Sequence, residues 1–138
     1  FGSISKIGFK SCDQGREKFQ GTSLDYVWFD EEPPEDIYIE CKMRVLDKNG
    51  EVFGTMTPLK GLTWVYNEIY LNEKHDENIW HEEMEWADNP YLDKNEIEML
   101  TKSLSESELQ SRRYGNFNSA EGIVYTEFEI EMYEYYGG

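Results

Sequence analysis

Asp30 and Glu31 are the residues best placed to do chemistry. They follow Leu24-Asp25-Tyr26-Val27-Trp28-Phe29, an apolar run that ends abruptly in Asp30-Glu31-Glu32-Pro33-Pro34. Tyr26 to Phe29 are β-formers with no polar alternation, which predicts a central strand covered on both faces. Such a strand delivers its last carboxylates to the sheet edge where open α/β proteins place ligands. An apolar strand ending in Asp-Glu is the layout of a Walker B element. There the Asp holds the Mg²⁺ of a bound nucleotide, and the next carboxylate polarises the attacking water. A strand followed by an acidic N-cap and a Pro-led helix has the same outline.

Thr55 and Thr57 are the second candidates. They end the run Glu51-Val52-Phe53-Gly54-Thr55-Met56-Thr57, which Pro58 stops. One helix separates this run from the first, as in a βαβ unit, so the two runs are expected to lie parallel and adjacent. The hydroxyls of Thr55 and Thr57 would then emerge near Asp30 and Glu31, where they can bond a γ-phosphate or the attacking water. The plainer reading is Thr as a β-former before a Pro turn.

Other polar pairs read as structural. Glu40 and Arg44, four apart, suit a helix-surface ion pair. His81 and Glu83 suit a solvated strand face, since no third ligand completes a metal site. Cys12 and Cys41 belong to no CxxC or zinc spacing and read as reduced cysteines. The sequence contains no GxxxxGKS or GxxxxGKT phosphate-binding loop.

These residues need elements to hold them. Residues 4–10 read as a modest strand, 11–15 as a turn and 16–21 as a polar connector. Pro33-Pro34-Glu35-Asp36 opens a helix over 37–46, with Tyr38, Cys41 and Val45 as its apolar stripe, widened by Ile39, Met43 and Leu46. Asn49-Gly50 ends it. A helix is expected over 62–71 from Leu62, Val65, Tyr66 and Ile69. Residues 79–86 alternate and read as an edge strand guarded by charge. Asp93 to Glu96 and Ser105 to Glu108 open two short helices with capping-box starts, the second ending at Gly115. Residues 123–128, and onward to Tyr133, read as a further strand.

The chain has 138 residues, 38% of them hydrophobic and 15% aromatic. That is enough for one domain with a core and unlike a disordered tail. A net charge of −16 argues against a nucleic-acid grip spread over the surface, because phosphate contacts need Lys and Arg. The charge is uneven: Lys6, Lys10, Arg16 and Lys18 balance the first strand's approach, while acidic residues dominate from residue 73 on. No apolar span of membrane length appears. A start at Phe1 and an end at Tyr135-Tyr136-Gly137-Gly138 look like cuts or ordered limits.

Several motifs recur in one order: Asp13-Gln14-Gly15 with Phe19-Gln20-Gly21, Tyr26 through Pro34, Gly54-Thr55-Met56-Thr57-Pro58, Asp88-Asn89-Pro90-Tyr91, Arg113-Tyr114-Gly115-Asn116-Phe117, and Gly122-Ile123-Val124-Tyr125. This series resembles the large terminase subunit of tailed bacteriophages, a DNA-packaging motor, over nearly the whole chain. The resemblance implies an α/β fold, a partial P-loop NTPase domain of the RecA/ASCE-like type. Its sheet would be mostly parallel, without the P-loop strand, and a small helical segment would follow. It implies Asp30 as the metal carboxylate, Glu31 as the catalytic carboxylate, and Thr55 and Thr57 as coupling and nucleotide-sensing residues. Residues 1–90 would be the C-terminal half of the ATPase domain, 91–122 a helical linker, and 123–138 the start of a nuclease domain. Mg²⁺ with ATP would be the cofactor of the full-length protein. Double-stranded DNA, the portal protein and the small terminase subunit would be its partners, in a ring oligomer with no membrane, in the bacterial host cytoplasm. With the family's P-loop expected before Phe1, the 138-residue chain alone is expected to be inactive.

Three alternatives stand beside this reading. One is a helicase-like NTPase half-domain, from which Glu32-Pro33-Pro34 departs. Another is a metal-dependent nuclease using Asp30, Glu31 and Glu85 or Asp88 in a two-metal site. The last is a non-catalytic prophage remnant acting as an interaction module on a basic protein surface.

Overall fold

Residues 4–118 are described by a computed structural model. The backbone divides into two compact units, Phe1–Met56 and Thr57–Gly138.

The first unit is built on a β-α-β segment. Strand β1 (Tyr26–Asp30) leads through Pro33-Pro34 into helix α1 (Glu35–Val45), and a 3-10 turn (Leu46–Lys48) returns the chain to strand β2 (Glu51–Thr55). The strands are parallel, with Tyr26 opposite Glu51 and Asp30 opposite Thr55. The proline lead works as expected: the Pro34 carbonyl accepts from the Ile37 and Tyr38 amides, both at 3.1 Å, and Glu35 and Asp36 sit in the first turn, where carboxylates favour the helix dipole. Asn49 adopts a left-handed φ of 50° to close the return. Gly50 follows because the chains crowd there: a Cβ at this position would lie 2.4 Å from the Asp25 carbonyl oxygen.

Side-chain alternation splits β1 into two faces. Phe29 is buried and packs with Ile37 and Cys41, while Val27, Val52, Tyr38, Cys12 and Phe19 surround that cluster. Burial of each such side chain stabilises the fold by about 1.5–3 kcal/mol. Tyr26 and Trp28 point to the other face and remain 52% and 60% exposed. The expectation of a strand covered on both faces is therefore corrected for this structure. An all-apolar run does not distinguish double coverage from one covered face and one aromatic face.

Helix α1 also differs in its stripe. Ile37, Cys41 and Val45 are buried, spaced four apart, together with Glu40. Ile39, Met43 and Leu46, expected to widen the apolar face, are exposed. Among the described residues the sheet beneath has two strands, too narrow to cover more than one stripe of the helix. Residues 4–10 form no strand. Ile4, Ile7 and Phe9 are 89%, 83% and 93% exposed, and a strand without a partner has no ladder to satisfy its backbone. The polar connector instead coils into 3-10 turns at Cys12–Gln14, capped by Ser11, and at Arg16–Phe19.

In the second unit, helices α2 (Lys94–Ser103) and α3 (Glu106–Tyr114) carry the caps read from sequence. Asp93 accepts from the Asn95 and Glu96 amides. Ser105 and Glu108 form a reciprocal capping box, and Gly115 closes α3 at φ 71°, a left-handed position that favours glycine. The Ser105 hydrogen bonds hold the Glu108 carboxyl below its ordinary range. The helix expected over 62–71 is a π-helical turn at Tyr66–Tyr70, in which the Leu71 amide reaches the Tyr66 carbonyl at 2.9 Å. Val65 is buried as the stripe expects, whereas Leu62 lies ahead of the helical residues and is exposed. Residues 79–86 make no strand either. Trp80 and Met84 are 69% and 76% exposed, and only Trp86–Asp88 is regular, as a 3-10 turn. The expected strand over 123–133 lies outside the described residues.

Candidate functional site

The C-terminal end of the strand pair carries the candidate chemistry. Asp30 is the last residue of β1 and Thr55 the last of β2, paired in register. Because register partners share a face in a parallel ladder, Asp30 and Thr55 lie on the exposed face with Trp28 and Phe53, opposite the side that α1 covers. The Trp28 indole Nε1 donates to the Thr55 hydroxyl at 2.9 Å. Asp30 and Glu31 are both exposed.

Glu31 occupies the turn that leaves the strand. Its φ is +69°, a region that costs a non-glycine residue about 1–2 kcal/mol. Its amide donates to the Thr55 carbonyl at 2.7 Å, which extends the ladder one residue past β1 and holds the chain in that conformation. Strained backbone of this kind concentrates where a side chain must be aimed. Thr57 is the first residue of the second unit; its carbonyl accepts from the Leu59 amide at 2.7 Å.

Two features here were not expected from the sequence. One is the Trp28–Thr55 hydrogen bond. Its signal was available, since an indole and a hydroxyl two register positions apart on one face of a parallel pair are within reach. The other is Glu40. Only 2% of its side chain is exposed, with Arg16 Nε at 2.9 Å from Oε2 and Arg44 Nε at 3.2 Å from Oε1. The helix-surface reading of Glu40–Arg44 is thereby corrected. The Arg16 contact is a hydrogen bond, whereas Arg44 Nε lacks hydrogen-bond geometry and acts by charge. Glu40 thus ties the 3-10 turn at Arg16–Phe19 to α1, below the strand pair. Beside it, burial first and then the neighbouring Cys12 and Glu40 push the Cys41 thiol up to about 11.

Among the described residues, no three His, Cys, Asp or Glu side chains come together as a metal site. The donor set at the strand ends is a single exposed carboxylate with a hydroxyl across from it. That set suits Mg²⁺, which is held by one or two carboxylates and otherwise by water and substrate phosphates. Among the described residues no helix is long and apolar enough to cross a membrane.

Comparison with known proteins points to the terminase large subunit. The family model for the terminase large subunit, T4likevirus-type, N-terminal, matches residues 2–132. The terminase large subunit of Salmonella phage P22 is 32% identical over 123 residues, which is 88% of this chain and 24% of that protein. The chain therefore spans about a quarter of the length of the curated relative it matches. No solved structure matches it significantly. The match covers nearly the whole chain and shows the family: the chain belongs to the N-terminal family of T4likevirus-type terminase large subunits.

Proposed function

We propose that this chain is the Walker B and coupling half of the ATPase of a viral DNA-packaging terminase, and that in the full-length protein it couples ATP hydrolysis to movement of double-stranded DNA into a procapsid. The observation that carries the reading is the placement of Asp30 and Thr55 side by side at the C-terminal ends of two parallel strands, on the exposed face.

In this reading Asp30 binds Mg²⁺. When bound with ATP, that ion neutralises charge developing on the transferred phosphoryl group. Glu31 accepts a hydrogen bond from the attacking water and orients it in line. Its backbone bond to Thr55 keeps the carboxylate at a constant offset from β2. Thr55, held by Trp28, and Thr57, two residues on, sense the γ-phosphate. The break between the two structural units falls at Met56–Thr57, between these two threonines. Asp30 with Glu31 and Glu85 or Asp88 as a two-metal nuclease rests on sequence order alone.

In this reading residues 91–122 are the helical linker segment and residues 123–138 the start of the nuclease domain. The partners in this reading are double-stranded DNA, the portal protein and the small terminase subunit, in a ring within the bacterial host cytoplasm. The chain by itself, without a phosphate-binding loop, hydrolyses ATP poorly or not at all. The test is ATP hydrolysis by the full-length protein and by residues 1–138, each with and without Glu31→Gln. Turnover confined to the full-length protein and lost in Glu31→Gln agrees with the proposal. Turnover by the 138-residue chain, or full activity of the full-length variant, overturns it.

A further inference from the structure

Cys12 and Cys41 are the only cysteines of the chain, and both are thiols in this structure. One stands in a 3-10 turn and the other in the middle of α1. The fold brings them together. Cys12 packs against the cluster of Phe29, Ile37 and Cys41, and Phe19 packs against the same cluster from the next turn. Between those two contacts, Arg16 Nε donates to Glu40 Oε2 at 2.9 Å. The stretch from Cys12 to Phe19 therefore reaches the helix side at three points. Glu40 and Cys41, consecutive in α1, are both buried.

Backbone bonds hold Cys12 in that place. The Cys12 carbonyl accepts from the Gly15 amide at 3.1 Å, and the Ser11 carbonyl accepts from the Gln14 amide at 3.2 Å. Lys10 lies over the Phe19 ring at 5.5 Å and donates to the Lys18 carbonyl, so the loop is closed on itself. Burial is the first cause of the raised Cys41 pKa, and the charge of Cys12 is the second, ahead of Glu40 and Lys10. The Cys12 sulfur thus lies within Coulombic reach of the Cys41 sulfur. The two thiols differ in access: Cys12 is half-buried, and Cys41 is 1% exposed.

We propose that Cys12 and Cys41 are a redox pair that a small-molecule disulfide closes to an internal disulfide, strapping the Cys12–Gln14 turn to α1. The ring so formed runs from Cys12 through β1, Asp30 and Glu31 to the middle of α1, so one bond tethers both ends of the segment that carries the acid pair. The proposal concerns the first unit only and stands whether or not Asp30 and Glu31 act on ATP.

The chemistry is thiol–disulfide exchange. Cys12, the accessible thiol, reacts first. Its thiolate attacks one sulfur of the oxidant, forms a mixed disulfide and expels one small thiolate. Cys41 then gives its proton to solvent, attacks the Cys12 sulfur and expels the second small thiolate. The protein loses two protons and two electrons, and the oxidant takes them up as two thiols. With its pKa at about 11, Cys41 is rarely ionised, so the second step is the slow one. Proximity offsets this by sparing a diffusional encounter, and capping Cys12 removes one of the charges that oppose ionisation of Cys41.

The test is oxidation of the 138-residue chain in a glutathione redox buffer, read by thiol titration, intact mass and non-reducing electrophoresis. The expected product is a monomer that has lost both thiols and carries no glutathione. Cys41→Ser should stop at the Cys12 adduct, and Cys12→Ser should react about tenfold or more slowly than the unsubstituted chain. Ring closure should accelerate about tenfold per pH unit between about pH 7 and 10, as the Cys41 thiolate fraction does. The oxidised chain should unfold at higher urea than the reduced chain. At one glutathione ratio the pair should form about tenfold or more readily in water than in concentrated urea. A stable Cys12 adduct beside a Cys41 thiol, a disulfide-linked dimer, equal pairing in urea, or an oxidised form that unfolds at lower urea than the reduced one overturns the proposal.

Discussion

Trp28 donates its indole N–H to the Thr55 hydroxyl across 2.9 Å, joining the middle of β1 to the end of β2 on the face that carries Asp30. This bond fixes the rotamer of a threonine that would otherwise be free to turn on an exposed strand. Trp28→Phe keeps the ring and removes the donor. It should change the stability of the chain by no more than about 1 kcal/mol, because Trp28 is 60% exposed. In the full-length protein kcat for ATP should fall, with KM less affected. Denaturant melts and steady-state hydrolysis read the two effects separately.

Glu31 holds a left-handed φ of +69°. Glu31→Gly should relieve that strain and stabilise the chain by up to about 1 kcal/mol, while abolishing hydrolysis in the full-length protein. A loss of stability in Glu31→Gly, read from the midpoint of urea unfolding, would mean that the carboxylate itself supports the turn.

Glu40 is buried between two arginines that contribute unequally. Arg16→Ala removes its hydrogen-bonded partner and should cost about 2–4 kcal/mol, most of it from leaving a buried carboxylate under-compensated. Arg44→Ala removes a contact without hydrogen-bond geometry and should cost less. Urea midpoints of the two variants give the order directly.

Cys41 should resist alkylation. With its pKa at about 11, only about one molecule in a thousand carries the thiolate at pH 8, and the side chain is 1% exposed. Cys12 should be modified first with iodoacetamide, and Cys41 about tenfold or more slowly. The linkage has a definite sign. A raised folded-state pKa means that the folded chain keeps a proton which the unfolded chain loses. The contribution is complete below the ordinary value of 9.0 and is lost as pH rises to about 11. Unfolding midpoints measured across that interval should decline, and Cys41→Ala should flatten the decline.

Gly50 meets the Asp25 backbone so closely that a Cβ would lie 2.4 Å from its carbonyl oxygen. Gly50→Ala must displace main chain at the start of β2 and should destabilise the first unit by about 1–3 kcal/mol. Hydrogen exchange at the Glu51 amide, which donates to Asp25 at 3.2 Å, reports the opening locally.

Much of the local structure was legible from residue types. β1, the Pro-led start of α1, the Asn49-Gly50 return, β2 and the caps at Asp93, Ser105 and Gly115 all follow from chemistry that acts within a few residues: steric preference, a side-chain acceptor for an open amide, a glycine at positive φ. The parallel relation of β1 and β2 was legible as well, because one helix between two short apolar runs leaves few other ways to bury them. The misses have a common cause. Residues 4–10 and 79–86 have strand composition but find no partner among the described residues, and a strand exists only as part of a ladder. The 62–71 periodicity was helical, yet regular structure is confined to residues 64–70, most of it a π-helical turn, and Leu62 stands outside it.

The sequence by itself determined the order of the motifs, the position of the acid pair at a strand end and the family those motifs point to. Tertiary structure decided what surrounds each side chain. It buried Glu40 between Arg16 and Arg44, left Tyr26 and Trp28 exposed, bent Glu31 into a left-handed turn, and packed Cys12 against the cluster that holds Cys41. Each of those outcomes depends on contacts between segments distant in the chain, whose energies are set by packing and desolvation. Neither term can be read from a residue and its immediate neighbours.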